Sequence, residues 1–132
     1  MHLRRLSLSF TAGLVGALLA SLALWASARY GLNTRLHVAI APVLSADWLY
    51  PRLVIGGLWG TLLMLPVSRN FFLRGLLLSL PPALVQLLWI FPYQSGLGWL
   101  GLELGLLTPA YIWAHWLIWA WIAVLWARLT GQ

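Results

Sequence analysis

Nineteen consecutive residues, PAYIWAHWLIWAWIAVLWA at 109–127, carry no charged side chain. A helix needs about 20 apolar residues to cross the roughly 30 Å hydrocarbon core of a bilayer. Four segments of the chain approach that length: 6–28, 50–67, 71–92 and 109–128. In lipid every backbone N–H and C=O must find an internal partner, which a helix provides within one segment. A β-barrel would need alternation of polar and apolar residues, and the solid Leu, Ala and Trp runs lack it. Only 8% of the 132 residues are charged, against about 25% in a soluble domain. The expected fold class is therefore an all-α integral membrane four-helix bundle, with residues 1–132 as a single transmembrane domain.

The first segment raises the question of a leader. Arg4 and Arg5 precede it, and Ala26-Ser27-Ala28 resembles a signal-peptidase site. Its apolar run exceeds the roughly 7–15 residues of a signal core, so retention is expected. Arginines then set the orientation. Arg4, Arg5, Arg69, Arg74 and Arg128 fall on one side of four spans, and Arg29, Arg35 and Arg52 on the other. The positive-inside rule places both termini in the cytoplasm of a bacterial inner membrane. The formal charge of +6 does not point to nucleic acid, because the arginines are scattered rather than gathered in a stripe. Two connections, 34–46 and 97–107, are expected as interfacial or re-entrant pieces on the outer side. In the second, Leu97, Leu100, Leu104 and Leu107 would share a helical face.

Chemistry-bearing residues are few. There is no cysteine and no lysine, which removes thiol, disulfide and Schiff-base chemistry, and neither cofactor nor metal is expected. His115 lies about 9 Å inside the fourth span at 1.5 Å per residue. Gln86 lies at the same depth in the third, six residues before Pro92, and is the expected partner of the imidazole. The plain reading is a hydrogen bond fixing two helices. The sharper one is a proton-handling or substrate site, since ionisable residues in a membrane are functional candidates. Asp47, Arg52 and Glu103 belong to the outer connections. They are read either as solvated ion pairs or, with His115, as a cluster around an outer cleft.

Ten tryptophans mostly mark interfaces. Trp113 and Trp116 are assigned to the outer aromatic belt, while Trp119 and Trp121 lie too deep for it and are expected as packing or lipid-facing residues. Gly56-x-x-x-Gly60 forms a small-residue face that would meet Ala12, Gly16 and Ala20 of the first span, with Gly13 and Ala17 beside them. The same face would serve a homodimer or a larger membrane complex. Pro81-Pro82 withholds two backbone donors in the third span and is expected to kink or break it.

The stretch LYPRLVIGGLWGTLLMLP, together with SLPPALVQLLWIFP and GLGWLGLELGLLTPAY, resembles a group of small uncharacterised bacterial membrane proteins with four helices. The resemblance covers most of 49–128 and implies a fold but no catalytic residue. The opening GLVGALLASLALWASARYG is loosely similar to four-helix fluoride channels, without their phenylalanine segment. Small multidrug exporters need a glutamate in the first helix, which has no acid here.

The leading functional expectation is a non-enzymatic membrane subunit or accessory protein, with the lipid bilayer as its first partner. The alternative is a small transporter or channel with a polar site near Gln86, His115 and Glu103. A membrane-embedded lipid hydrolase ranks third. Topology gives a direct check: reporter fusions after Arg69 and after Gln94 should report opposite sides of the membrane.

Overall fold

The computed structural model describes residues 2–36, 38, 40, 44–64, 69–94, 96 and 99–130, without the side chains of 2, 91–94, 99, 103 and 104. Helix α1 covers His2–Arg29, and α2 is a single turn, Leu32–Arg35. Helix α3 covers Ala46–Gly60 and tightens into a 3-10 turn at Thr61–Met64. Helix α4 covers Phe71–Val85 and widens into a π-helix over Gln86–Gln94. A short 3-10 piece, Trp99–Leu104, leads to α5, Thr108–Leu129. The described residues contain no β-strand. Three helices are long and apolar enough to cross a membrane, at Leu3–Arg29, Phe71–Ile90 and Thr108–Leu129. The chain is an all-α, multi-pass membrane protein.

The second expected span is displaced. It begins at Ala46 rather than Tyr50, because the Ser45 hydroxyl accepts the Trp48 N–H at 3.3 Å and starts the helix there. Asp47 follows in the first turn, where the exposed N–H groups favour a negative charge. Fifteen α-helical and four 3-10 residues reach about 30 Å, the thickness of the hydrocarbon.

Helix α1 is central. Helix α3 packs along one side of it, α5 along another, and α4 packs on α5. The α1–α3 contact is backbone against backbone. A Cβ on Gly13 would collide with the Gly56 carbonyl, and one on Gly60 would lie 2.6 Å from the Ser9 carbonyl. Lipid chains are as apolar as leucine, so helices associate here through close packing of small residues. The glycines at 13, 56 and 60 therefore sit inside the chain's own interface. The stripe facing α3 runs through Ser9, Gly13 and Ala17, whereas Gly16 faces α5: a Cβ on it would lie 2.6 Å from the Trp119 carbonyl. The expected Ala12/Gly16/Ala20 stripe was thus rotated by one position, because an apolar helix in lipid gives little sign of which face is the core.

The lower half of the α1–α5 seam is dense. Ala12, Ala120, Ala123, Val124 and Ala127 are at most 1% exposed. At that end arginines cap loose backbone carbonyls. Arg5 donates to the Met64 carbonyl at 3.3 Å, Arg74 to Leu63 at 2.8 Å and Arg128 to Arg69 at 2.7 Å. These bonds satisfy acceptors that the end of α3 and the following turn leave open. They also gather four of the five arginines assigned to one side of the membrane.

The two prolines do not break α4. Leu77 and Leu78 lose their donors, Ser79 Oγ donates to the Leu76 carbonyl at 2.7 Å, and the helix runs on to Val85 before its register widens. The expected amphipathic helix at 97–107 is replaced by the short 3-10 piece, interrupted by left-handed backbone at Leu100 (φ 60°) and Gly101 (φ 68°). Leu97 and the side chain of Leu104 lie outside the described residues. Most of 37–43, the core of the other interfacial segment, does so too.

Gly60→Leu should destabilise the protein by about 1–3 kcal/mol or more, as overpacking of a closed interface does. Leu58→Ala, at a position 59% exposed on the same helix, should stay within about 0.5 kcal/mol. Denaturant titration in detergent micelles measures both.

Candidate functional site

Helix α5 joins the bundle through its indoles. Trp119 Nε1 donates to the Gly13 carbonyl at 3.1 Å, reaching it past Gly16 and Gly56, where an added Cβ would lie 3.4 and 3.2 Å from that nitrogen. Trp116 Nε1 donates to Gln86 Oε1 at 2.8 Å, Trp113 Nε1 to Ser79 Oγ at 3.2 Å and Trp121 Nε1 to the Phe72 carbonyl at 3.2 Å. One of these bonds reaches α1 and three reach α4 and its π-helical extension. Trp116 and Trp119 are buried and stack edge to face at 5.3 Å. Trp116 is therefore a core residue rather than part of an aromatic belt, and Trp119 is packing with a specific bond.

The polar centre lies one turn away from Trp119. Arg52, from the first half of α3, donates from Nε to Ser21 Oγ at 3.0 Å and from Nη2 to His115 Nε2 at 2.9 Å. Its guanidinium lies 4.9 Å from the centre of the Trp48 ring, one turn back on α3. His115 is 8% exposed. The partner of His115 is thus Arg52, and Gln86 serves Trp116. The depth argument matched the helices correctly, but residues 115 and 116 point about 100° apart around α5 and so meet different neighbours.

Hydrogen-bond logic fixes the state of the ring. A guanidinium has donors only, so Nε2 accepts and the proton of a neutral imidazole sits on Nδ1. That Nδ1 is buried and makes no hydrogen bond of ordinary geometry among the described residues, although the Ala20 backbone lies beside the ring.

A second network sits nearer the α1–α2 turn. Ser27 Oγ and the Tyr111 hydroxyl are 2.8 Å apart, Ser27 Oγ is 3.2 Å from Asn33 Oδ1, and Asn33 Nδ2 donates to the Ile40 carbonyl at 2.6 Å. Asn33 is buried, so α2 is tied to the bundle by this amide. Between the two networks runs a groove of about 480 Å³ separating α1 from α5. Its walls include Ala20, Ala23, Leu36, Ala110, Ala114 and Ile118, and Ser27, Tyr111 and His115 are its polar members. Ala23, Ala114 and Ile118 are exposed, so the groove opens sideways toward lipid.

Of the candidate residues, Arg52 and His115 meet. Asp47 stands exposed in the first turn of α3. Glu103 falls within the 3-10 piece, and its side chain lies outside the described residues. Ser21, Ser27, Asn33 and Tyr111 were missed, although the depth argument applied to Gln86 and His115 would also have paired Ser27 with Tyr111. Among the described residues no group of three His, Cys, Asp or Glu side chains could hold a metal ion. No protein-family model, curated protein or solved structure matches the chain.

A double-mutant cycle distinguishes the partners. Arg52→Met with His115→Phe should show a coupling of about 0.5–3 kcal/mol, as contacting polar residues do. Gln86→Leu with His115→Phe should couple more weakly, and Gln86→Leu with Trp116→Phe should couple in the same range as the first pair.

Proposed function

We propose that this chain is a membrane subunit or accessory protein of a bacterial inner membrane, with both termini in the cytoplasm and no chemistry of its own. The observation that carries this reading is the closed lower half of the bundle. There, among the described residues, glycine backbones and alanine side chains close the seams around α1, while the buried polar side chains above mostly pair locally, His115 Nδ1 and Thr108 Oγ1 excepted. A transport path needs polar groups, or water, through the full thickness of the bilayer. Here the ionisable pair Arg52–His115 stops at a seam of Gly13, Gly56 and Trp119. Membership of the group of small bacterial membrane proteins resembling 49–128 belongs to the same proposal and is consistent with such a setting.

A partner would meet the flank of α3 rather than its glycines. Tyr50, Val54, Ile55 and Leu58 are between 48% and 60% exposed on α3, and α3 rests mainly on α1. Gly56 and Gly60 are consumed within the chain.

The alternative of a small transporter keeps one supporting feature, the buried donor of His115 beside the groove. Proteoliposomes separate the two. The accessory reading expects no proton or solute flux above empty vesicles, unchanged by His115→Ala, and a partner whose co-purification falls when Val54 and Leu58 are replaced by tryptophan. Flux that disappears with His115→Ala would overturn it.

A further inference from the structure

We propose that Arg5 of α1, Arg74 of α4 and Arg128 of α5, gathered at the end of the bundle that carries the termini, bind the phosphate of an anionic phospholipid headgroup. The inference requires only that the chain spans a membrane and is independent of whether it acts as an accessory protein.

Three features carry it. The first is convergence. Arg74 and Arg5 donate to the carbonyls of consecutive residues, Leu63 and Met64, where α3 ends. Arg128 donates to the Arg69 carbonyl just before α4, and its guanidinium lies 5.2 Å from the centre of the Phe71 ring. Three helices thus bring guanidiniums to one short stretch of chain, and Arg5 and Arg128 both lie within electrostatic reach of Arg74. The carbonyls fix where these groups stand, so less side-chain freedom remains to be lost on binding. A carbonyl takes one of the five N–H donors of a guanidinium and none of its charge. Arg5 and Arg128 are exposed and Arg74 is half-buried, so a group at the membrane surface can approach them.

The second is an uncompensated charge. The sequence holds two acidic side chains, Asp47 and Glu103. Asp47 stands in the first turn of α3 and Glu103 in the 3-10 piece before α5, both toward the opposite end of the bundle. Arg4 and Arg69, also exposed, add to the arginine end. Capping open carbonyls explains one bond from each of the three arginines. It leaves like charges held near one another, a repulsion that an anion between them offsets.

The third is depth. The apolar spans are Leu3–Arg29, Phe71–Ile90 and Thr108–Leu129, and each of the three arginines lies within one helical turn of the end of its span. That is the level of the lipid headgroups. Leu6, Phe72, Leu73 and Leu129 are exposed next to them in the chain. Cations at the rim with apolar side chains below fit a molecule that carries a phosphate and acyl chains together, whereas a free phosphate would use only the charge. Basic sites between membrane helices select anionic headgroups in this way.

The test uses the full chain in nanodiscs of phosphatidylcholine with a minor share of phosphatidylglycerol, released and read by native mass spectrometry. The wild type should retain phosphatidylglycerol, favoured about fivefold or more over its share of the bilayer. Arg5→Gln with Arg128→Gln should bring retention down to that share. Arg29→Gln with Arg35→Gln removes the same charge from the opposite end and should leave the preference in place. Thermal unfolding of the wild type in detergent gives a reading that needs no variant: added phosphatidylglycerol should raise the midpoint, and phosphatidylcholine or inorganic phosphate at the same concentration should not. The proposal is overturned if the wild type shows no preference for phosphatidylglycerol, or if the Arg29 and Arg35 pair abolishes that preference while the Arg5 and Arg128 pair keeps it. Equal stabilisation by inorganic phosphate would reduce the cluster to a general anion site and overturn the assignment to lipid.

Discussion

The bond from the Trp119 indole to the Gly13 carbonyl marks the point on which the other contacts depend. At Gly13 three helices meet. The missing side chain admits the backbone of α3, and the bare Gly16 and Gly56 beside it leave space for the Trp119 indole to reach the carbonyl. In water such a junction would be held by expulsion of solvent from apolar surfaces. In lipid that force is absent between helices, and what remains is close packing, hydrogen bonding and the shape of the facing surfaces. The glycines supply the packing and the tryptophans supply the bonds.

From that junction the bundle divides along the membrane normal. Toward the termini, alanines and Val124 close the α1–α5 seam, and arginines finish the end by donating to loose carbonyls. Toward the α1–α2 turn the helices part enough to admit Arg52, His115, Ser21, Ser27, Asn33 and Tyr111. A guanidinium placed in that half is costly unless its donors are met. Ser21, His115 and the Trp48 ring meet three sides of it. The consequence for His115 is a defined tautomer, and with it a donor directed away from the arginine. The polar half thus settles around one guanidinium, with the groove between α1 and α5 beside it.

Much of this was legible in the amino-acid order, for reasons that also explain the rest. Run length gave three of the four expected spans, whereas the second is a fifteen-residue helix that ends in a 3-10 turn, and the grouping of Arg5, Arg69, Arg74 and Arg128 follows from the up-and-down order of the helices. Depth along each helix follows from the rise per residue, which correctly matched α4 with α5. Rotation about each helix axis was not legible. In a soluble protein the polar face reveals it, but here both the lipid-facing and core-facing sides are apolar. Hence His115 was paired with Gln86 instead of Arg52, Trp116 was assigned to a belt, and the stripe facing α3 was displaced by one residue. The start of α3 at Ala46 depended on a serine cap, a signal that a hydropathy reading passes over. The π-register after Pro81-Pro82 and the left-handed Leu100 are local backbone solutions that no periodicity announces.

The account rests on Trp119 being a buried, bonded indole at a three-helix junction. Hydrogen exchange of the indole N–H groups in detergent micelles, followed by nitrogen–proton NMR with assignment by single Trp→Phe substitution, reads this directly. The Trp119 indole should exchange far more slowly than that of Trp126, which sits exposed near the end of α5, and Gly13→Ala should remove its protection. Equal exchange at Trp119 and Trp126 would contradict the arrangement of α1, α3 and α5 described above.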